Sequence, residues 1–278
     1  MTPADGAPGR PDVVYEDNHV IVAVKPPGVL SQPDGSPAPD MLALLKADIR
    51  ERHAKPGDVF LGLVHRLDRP VGGLMVFGRT SKGASRLSEQ IRGHAFEKRY
   101  LAVVHGRPIQ DAGVLTARLV KDSATNVVRR VDRDDDAGDG PDGERGEGDR
   151  AARDASLSYR VLGATASTRT LSLLEISLGT GRGHQIRVQL ADAGLPIVGD
   201  RRYGRPDDDE QDIALWSFRL GFDAPTRPER LVFQVPPPDA RPPWNLFAGQ
   251  LPPRSVPQPP AAPPAASAAS PDEPGPTP

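Results

Sequence analysis

Asp68 lies in the stretch HRLDRPVGGL, residues 65–74, between the apolar runs VFLGLV and LMVFG. Pro70, Gly72 and Gly73 force a compact turn there, and such a turn lets backbone or ligand come close to the carboxylate. An aspartate held that way can stabilise or attack a carbon that is becoming positive. It can equally be a charged turn between two strands. A second cluster, GTGRGHQIR at 179–187, packs three glycines with Arg182, His184, Gln185 and Arg187. Backbone N–H groups at a helix start, with arginines beside them, can hold phosphate oxygens. The cluster lacks the Gly-Lys-Ser/Thr ending of a Walker loop, and the pattern G-x-G-x-x-G fails at its last glycine. Six histidines without H-E-x-x-H spacing, and no cysteine, point to no metal site. No G-x-S-x-G elbow supports acyl transfer.

Those side chains need elements to position them. VVYEDNHVIVAVKPPG, residues 13–28, alternates apolar residues about an Asp-Asn turn and predicts a hairpin. Asp40 can cap a helix over MLALLKADIRERH in which Leu42, Leu45 and Ile49 share a face. VFLGLVH predicts a strand into the aspartate turn and LMVFGR a strand out of it. Thr80 or Ser81 then caps a helix burying Ala84, Leu87 and Ile91. KRYLAVVHG predicts a strand with Tyr100, Ala102 and Val104 on one side. GVLTARLV, SLSYRVLG and TLSLLEISL predict strands before the glycine-rich turn. QIRVQLADAG predicts a helix that stops at Gly194, and IALWSFRLGF and ERLVFQVPPP predict two closing strands. More strands than helices, with several hairpin-length connections, predict an α+β fold: a mixed, mostly antiparallel sheet flanked by helices.

One domain is expected over residues 13–247, after a flexible N-terminus at 1–12. Residues 132–155 hold ten acids and four arginines and predict a disordered acidic insertion. The Pro- and Ala-rich residues 248–278 predict a disordered tail. The acidic patch 206–212 is short enough for an ordinary loop. The net charge of −2 becomes +5 once the insertion (−6) and tail (−1) are set aside. That is basic enough to permit a polyanionic partner and too little to demand one. The absence of cysteine fits a reducing compartment. No apolar run approaches the roughly 20 residues that span a bilayer, and the N-terminus lacks the blocks of a signal peptide. A soluble cytoplasmic protein is expected, with no membrane partner.

In combination the motifs are far more specific. VAVKPPGVL, HRLDRPVGGL, KRYLAVVHG and GTGRGHQIRVQLADAGLPIVGDRRYG, in that order over residues 13–238, resemble the RluA family of RNA pseudouridine synthases. The resemblance implies the catalytic fold of that family without an N-terminal S4 domain, since the body begins near Val13. It implies an isomerase that breaks the N1–C1′ bond of a uridine in ribosomal or transfer RNA, turns the base and rejoins it through C5. It implies neither cofactor nor metal. Asp68 matches the family's catalytic aspartate, Tyr100 the tyrosine that stacks on the flipped base, and Arg187 the basic residue paired with the aspartate. Arg66 matches the arginine that helps expel the uridine. His65, Lys25, Arg182, His184 and Gln185 are implied to line the substrate site. A monomer without an obligate protein partner is expected.

The residue types suit that task. A carboxylate can stabilise or bond to C1′ as positive charge develops there, and a guanidinium orients it. Attack at C1′ and proton removal at C2′ both stay open. Without an S4 domain, RNA would be gripped by the catalytic domain, with Arg86, Arg92, Lys98, Arg99 and Arg182 as candidates, and the acidic insertion is expected to stay away from that face. The family's Thr-Ser-Gly is replaced here by Val71, Gly72 and Gly73, which removes two hydroxyls. Two other classes stay in view. An RNA-binding protein that has lost catalysis would lack Asp68, Tyr100 or Arg187. A glycoside hydrolase would need a second acid such as Glu97 or Glu175 about 5 to 10 Å from Asp68.

Overall fold

The computed structural model describes residues 10–54, 57–122, 124–132, 152–166, 169–208 and 212–258. Strands β1 (Asp12–Glu16) and β2 (Val20–Lys25) form the expected hairpin. Helix α1 (Met41–Arg52) is capped by Asp40, whose carboxylate accepts the Ala43 N–H. It buries Met41, Leu45 and Ile49 and leaves Leu42 half-buried. β3 shrinks to Gly62–Leu63, and β4 runs from Gly72–Gly78. Helix α2 (Ser81–Arg92) is capped by Thr80. β5 (Glu97–His105), β6 (Ala112–Lys121), β7 (Val128–Val131), β8 (Arg153–Ala164) and β9 (Leu171–Leu178) follow, then α3 (Gln185–Asp192), β10 (Leu215–Asp223) and β11 (Arg230–Gln234).

The strands join in one sheet ordered β1-β2-β4-β10-β5-β9-β8-β6-β7. Every pairing is antiparallel except that of β4 with β10, where Gly72 and Gly73 lie beside Trp216 and Ser217. Farther along β10, β11 replaces β4 on the same edge. The fold is therefore the expected α+β type. β2 and β4 read as continuous apolar runs because both faces of the sheet are covered there. Ile21, Ala23, Met75 and Phe77 pack with Met41, Leu45 and Ile49 of α1. Val20, Val22, Leu74 and Val76 pack with Leu87 of α2 on the other face. α3 covers the far end, with Val188 against Leu119, Val128 and Ala155.

Three boundaries differ from expectation. Arg10 pairs with Asp48 at 2.7 Å and β1 already starts at Asp12, so the end of the presumed flexible N-terminus belongs to the fold. Arg153, Asp154 and Ala155 begin β8 rather than end a disordered insertion, because they extend its ladder with β6. Residues 248–258 are not a structureless tail: Trp244–Gln250 forms a 3-10 helix, and Ser255 and Gln234 exchange backbone hydrogen bonds at 2.7 and 2.8 Å. Residues 1–9, 133–151 and 259–278, on which the other disorder expectations fall, lie outside the described residues. No helix among the described residues is long and apolar enough to cross a membrane.

Candidate active site

The loop between β3 and β4 carries Asp68, and its shape follows from where its polar groups go. Leu67 is tied to Ser31 twice: its N–H donates to Oγ at 3.0 Å, and Oγ donates back to its carbonyl at 2.8 Å. The Arg69 carbonyl accepts the Gly28 N–H at 2.9 Å and the Lys25 ammonium at 3.0 Å. Val71 N–H donates to the Asp68 carbonyl at 3.0 Å and closes the turn. His65 Nε2 accepts the Val76 N–H at 3.1 Å. β3 is short because the loop bonds to these groups instead of extending a strand ladder.

The Asp68 carboxylate faces α3 and β5. Arg187 Nη1 donates to its Oδ2 at 3.3 Å. The same guanidinium is held from behind by Asp200, with Nε and Nη2 at 2.8 and 2.7 Å from its two oxygens. Asp200 also accepts the Arg202 and Tyr203 N–H groups. Burial opposes its ionisation, but Arg187 and those backbone donors hold its carboxyl below the usual aspartate range. Burial likewise opposes charge on Arg187, and Asp200 with Asp68 more than offsets it. Tyr100, only 6% exposed, lines the same pocket with Val71, Ile186 and Leu215. Burial, then the nearby Asp68 charge, pushes its phenol up, so the ring is neutral.

The pocket opens into a cleft of about 1140 Å³ lined by Arg66, Arg69, Lys121, Arg187, Arg201 and Arg202. Among the described residues these six cations face four carboxylates, Asp34, Asp68, Asp200 and Asp212, so the described lining is positive although the whole chain carries −2. Glu97 and Glu175 do not line it. They pair instead with Arg99, Arg160 and Arg219, which leaves the two-carboxylate arrangement of a glycoside hydrolase unsupported at those residues.

The structure thus brings Asp68, Tyr100, Arg187, Arg66, Arg182, His184 and Gln185 to one pocket. Gln185 is there as a clamp: its Oε1 accepts Thr180 Oγ1 and Arg182 N–H, and its Nε2 donates to the Ser156 carbonyl. Two expected site residues lie elsewhere. Lys25 is fully buried behind the turn and donates to the carbonyls of Pro26, Val29 and Arg69. Burial pushes its amine down to about 7, against the pull of Asp68. His65 turns toward the Phe96 ring, 5.7 Å away, and burial with the Lys98 charge pushes it down to about 3.

Four of the five expected RNA-gripping residues also lie off the cleft lining. Arg86 donates to the Pro225 carbonyl, Arg92 is on α2, Lys98 lies over the Phe96 ring, and Arg99 is paired with Glu97 and Glu175. Arg182 does line the pocket, yet its Nε donates to the Asp154 carbonyl at 3.3 Å. Asp154 makes that contact through its backbone carbonyl as the second residue of β8, and residues 133–151 of the acidic insertion lie outside the described residues. Asp200, Ser31 and Tyr203 were not among the expected site residues. The signal for two of them is the GDRRYG run after α3, where Asp200 and Tyr203 fall in one turn.

Comparison with known proteins places the chain in a family. The family model described as RNA pseudouridylate synthase matches residues 19–192. The uncharacterized RNA pseudouridine synthase YlyB of Bacillus subtilis is 30% identical over 82% of this chain and 69% of its own length. The ribosomal large subunit pseudouridine synthase D of Xylella fastidiosa is 35% identical over 69% of this chain, which spans 51% of that relative. The fold matches human RNA pseudouridylate synthase domain containing 4, with a TM-score of 0.65 at 21% identity over 88% of this chain and 95% of the other. The chain belongs to the RNA pseudouridylate synthase family, in its RluA-like group, a family of isomerases.

Proposed function

We propose that this protein converts specific uridines in structured ribosomal or transfer RNA to pseudouridine, with Asp68 as the essential carboxylate. It works as a cytoplasmic monomer that needs no cofactor or metal. The observation that carries the reading is the Asp68–Arg187 contact at 3.3 Å beside the Tyr100 ring, inside a positive cleft. A flipped uracil stacks on Tyr100, a contact of roughly 1 to 3 kcal/mol against a flipping cost of a few kcal/mol. Arg66, exposed at the mouth shared by pocket and cleft, takes the place the base leaves. Asp68 stabilises or bonds to C1′ as the N1–C1′ bond breaks. The base turns, C5 bonds to C1′, and the proton on C5 is lost while N1 gains one. Because the Tyr100 phenol is held neutral, its part is a platform rather than an anion. Arg66, Arg69, Lys121, Arg201 and Arg202 meet the RNA backbone.

The test uses purified protein, RNA from cells lacking the gene, and site-resolved mapping of pseudouridine. The parent protein restores modification at defined uridines and Asp68→Asn does not. An Asp68→Asn variant that modifies uridine as fast as the parent would sink the reading.

A further inference from the structure

His184 precedes α3 with φ at 52°, in the left-handed region that few non-glycine residues adopt. Its ring caps no helix N–H. Instead Nδ1 lies 2.8 Å from the Tyr203 hydroxyl, and that hydroxyl already accepts the Val128 N–H at 2.9 Å. A phenol has one proton to give, and His184 Nδ1 is the acceptor beside it. With Nδ1 accepting the phenol's proton, the ring's own proton is on Nε2. Nε2 faces Asp68 Oδ2 at 3.9 Å, too long for a direct hydrogen bond. An oxygen about 2.8 Å from each atom would bridge them, accepting from Nε2–H and donating to the carboxylate. A hydroxyl does both. If Asp68 works at C1′ of a ribonucleotide, the 2′-hydroxyl on the next carbon is the group at hand, and it is the group that separates RNA from DNA.

We propose that His184, held as the Nε2–H tautomer by Tyr203, binds the 2′-hydroxyl of the target nucleotide and makes the site select ribose over deoxyribose, with Tyr203 as the positioning residue. This rests on the reading of the cleft as a uridine-isomerising site. Burial, together with the Arg187 and Arg202 charges and against the pull of Asp68 and Asp200, lowers the pKa of His184. The ring is thus a neutral donor at physiological pH.

Two experiments on the full chain test it. Nitrogen-15 spectra of the histidine side chains should show His184 protonated at Nε2 near neutral pH, and mixed tautomers in Tyr203→Phe. A parent ring protonated at Nδ1 overturns the proposal. The second experiment uses a short synthetic RNA carrying a uridine mapped as above, and the same oligonucleotide with 2′-deoxyuridine at that position. In single turnover the parent should lose about tenfold or more on the deoxy substrate, the scale of one hydrogen bond in a dry site. His184→Asn tolerates the left-handed backbone but falls short of the bridging position. It should be slow on RNA and lose little more on the deoxy substrate, while His184→Gln recovers part of the discrimination. Each ribose-to-deoxyribose ratio is taken within one variant, so partial unfolding cancels. Equal deoxy penalties in the parent and His184→Asn overturn this proposal and leave the functional reading standing. A parent that isomerises no uridine overturns both.

Discussion

Two carboxylates share the Arg187 guanidinium, and removing the charge from one or the other should have opposite consequences. The Asp200 side chain is 1% exposed and that of Arg187 6%, and they meet through two hydrogen bonds. The Asp68 side chain is 26% exposed and makes one longer contact. Breaking one partner of a buried, doubly bonded pair costs about 3 to 5 kcal/mol, since the other charge stays buried. Asn keeps a carbonyl oxygen at position 200, so the lower end applies. About 3 kcal/mol lowers Tm by about 6 to 12 °C in a domain of this size. Asp68→Asn loses a half-solvated contact whose value is at most about 1 kcal/mol, or about 4 °C at most. The assays are thermal melting and single-turnover pseudouridine formation on the mapped RNA. Asp68→Asn should fold like the parent and be inactive. Asp200→Asn should be markedly less stable, and slower even where fully folded, because Arg187 then loses its charged, doubly bonded anchor. An Asp200→Asn melting point within 2 °C of the parent, or an Asp68→Asn loss as large as that of Asp200→Asn, would refute this division of roles.

Acid titration of the same pair gives a second prediction. The Asp200 pKa is depressed in the fold, so its stabilisation is full above the unfolded aspartate value near about 4 and is lost only as pH falls through the lower folded value. The stability gap between parent and Asp200→Asn should therefore be flat from pH 5 to 7 and close below pH 4, as followed by urea denaturation. Lys25 has the reverse sign of perturbation for a base: its folded pKa of about 7 lies below the unfolded value near about 10.4. The unfolded chain binds the extra proton between those values, so this group makes stability rise with pH across that window. Lys25→Met should lack that rise, and its kcat should fall more than its KM changes, because the carbonyls that Lys25 ties behind the Asp68 turn are released. At Gly72 a Cβ would come within 2.6 Å of Trp216 Cε3 and closer still to Cζ3. Gly72→Ala should lose about 1 to 3 kcal/mol by overpacking. A Trp216→Leu background should absorb part of that loss, and strictly additive melting losses would contradict the clash.

Local rules were legible in the sequence, and pairwise ones were not. Asp40 and Thr80 cap their helices because capping needs only a side chain and the next turn of backbone. Tyr100 and Asp68 were legible only through the resemblance that the joined motifs carry, since strand alternation and the Pro70–Gly73 turn taken alone fit a core tyrosine and a structural turn aspartate equally well. What a charge pairs with depends on strands far apart in sequence. Arg99 reads as part of a basic cluster, yet β9 lies beside β5 and brings Glu175 to it. Lys25 reads as a turn lysine near a site. It is buried because β2 is an interior strand and the carbonyls of Pro26, Val29 and Arg69 converge on its ammonium. β7 gave no signal of its own, being four residues with a polar middle that are strand only because they pair with β6. The acidic patch after residue 205 reads as a loop, yet Asp208 is buried against His105 at 2.5 Å.

The missing hydroxyls at positions 71 and 72 have a physical account in the same terms. Trp216, on the one strand parallel to β4, covers Gly72 and fixes its own ring by donating Nε1–H to the Val235 carbonyl at 3.0 Å. A serine at 72 has no room under that ring. Val71, 2% exposed, contributes an apolar wall beside Asp68 where the family has a hydroxyl. Neither change removes a group that holds the turn, because the bonds that hold it come from Lys25, Gly28, Ser31 and the Val71 backbone itself. Positioning of the carboxylate is thus carried by main-chain carbonyls and buried donors rather than by the side chains of the turn. Val71 excludes water from one side of Asp68, whose side chain stays 26% exposed on the cleft side.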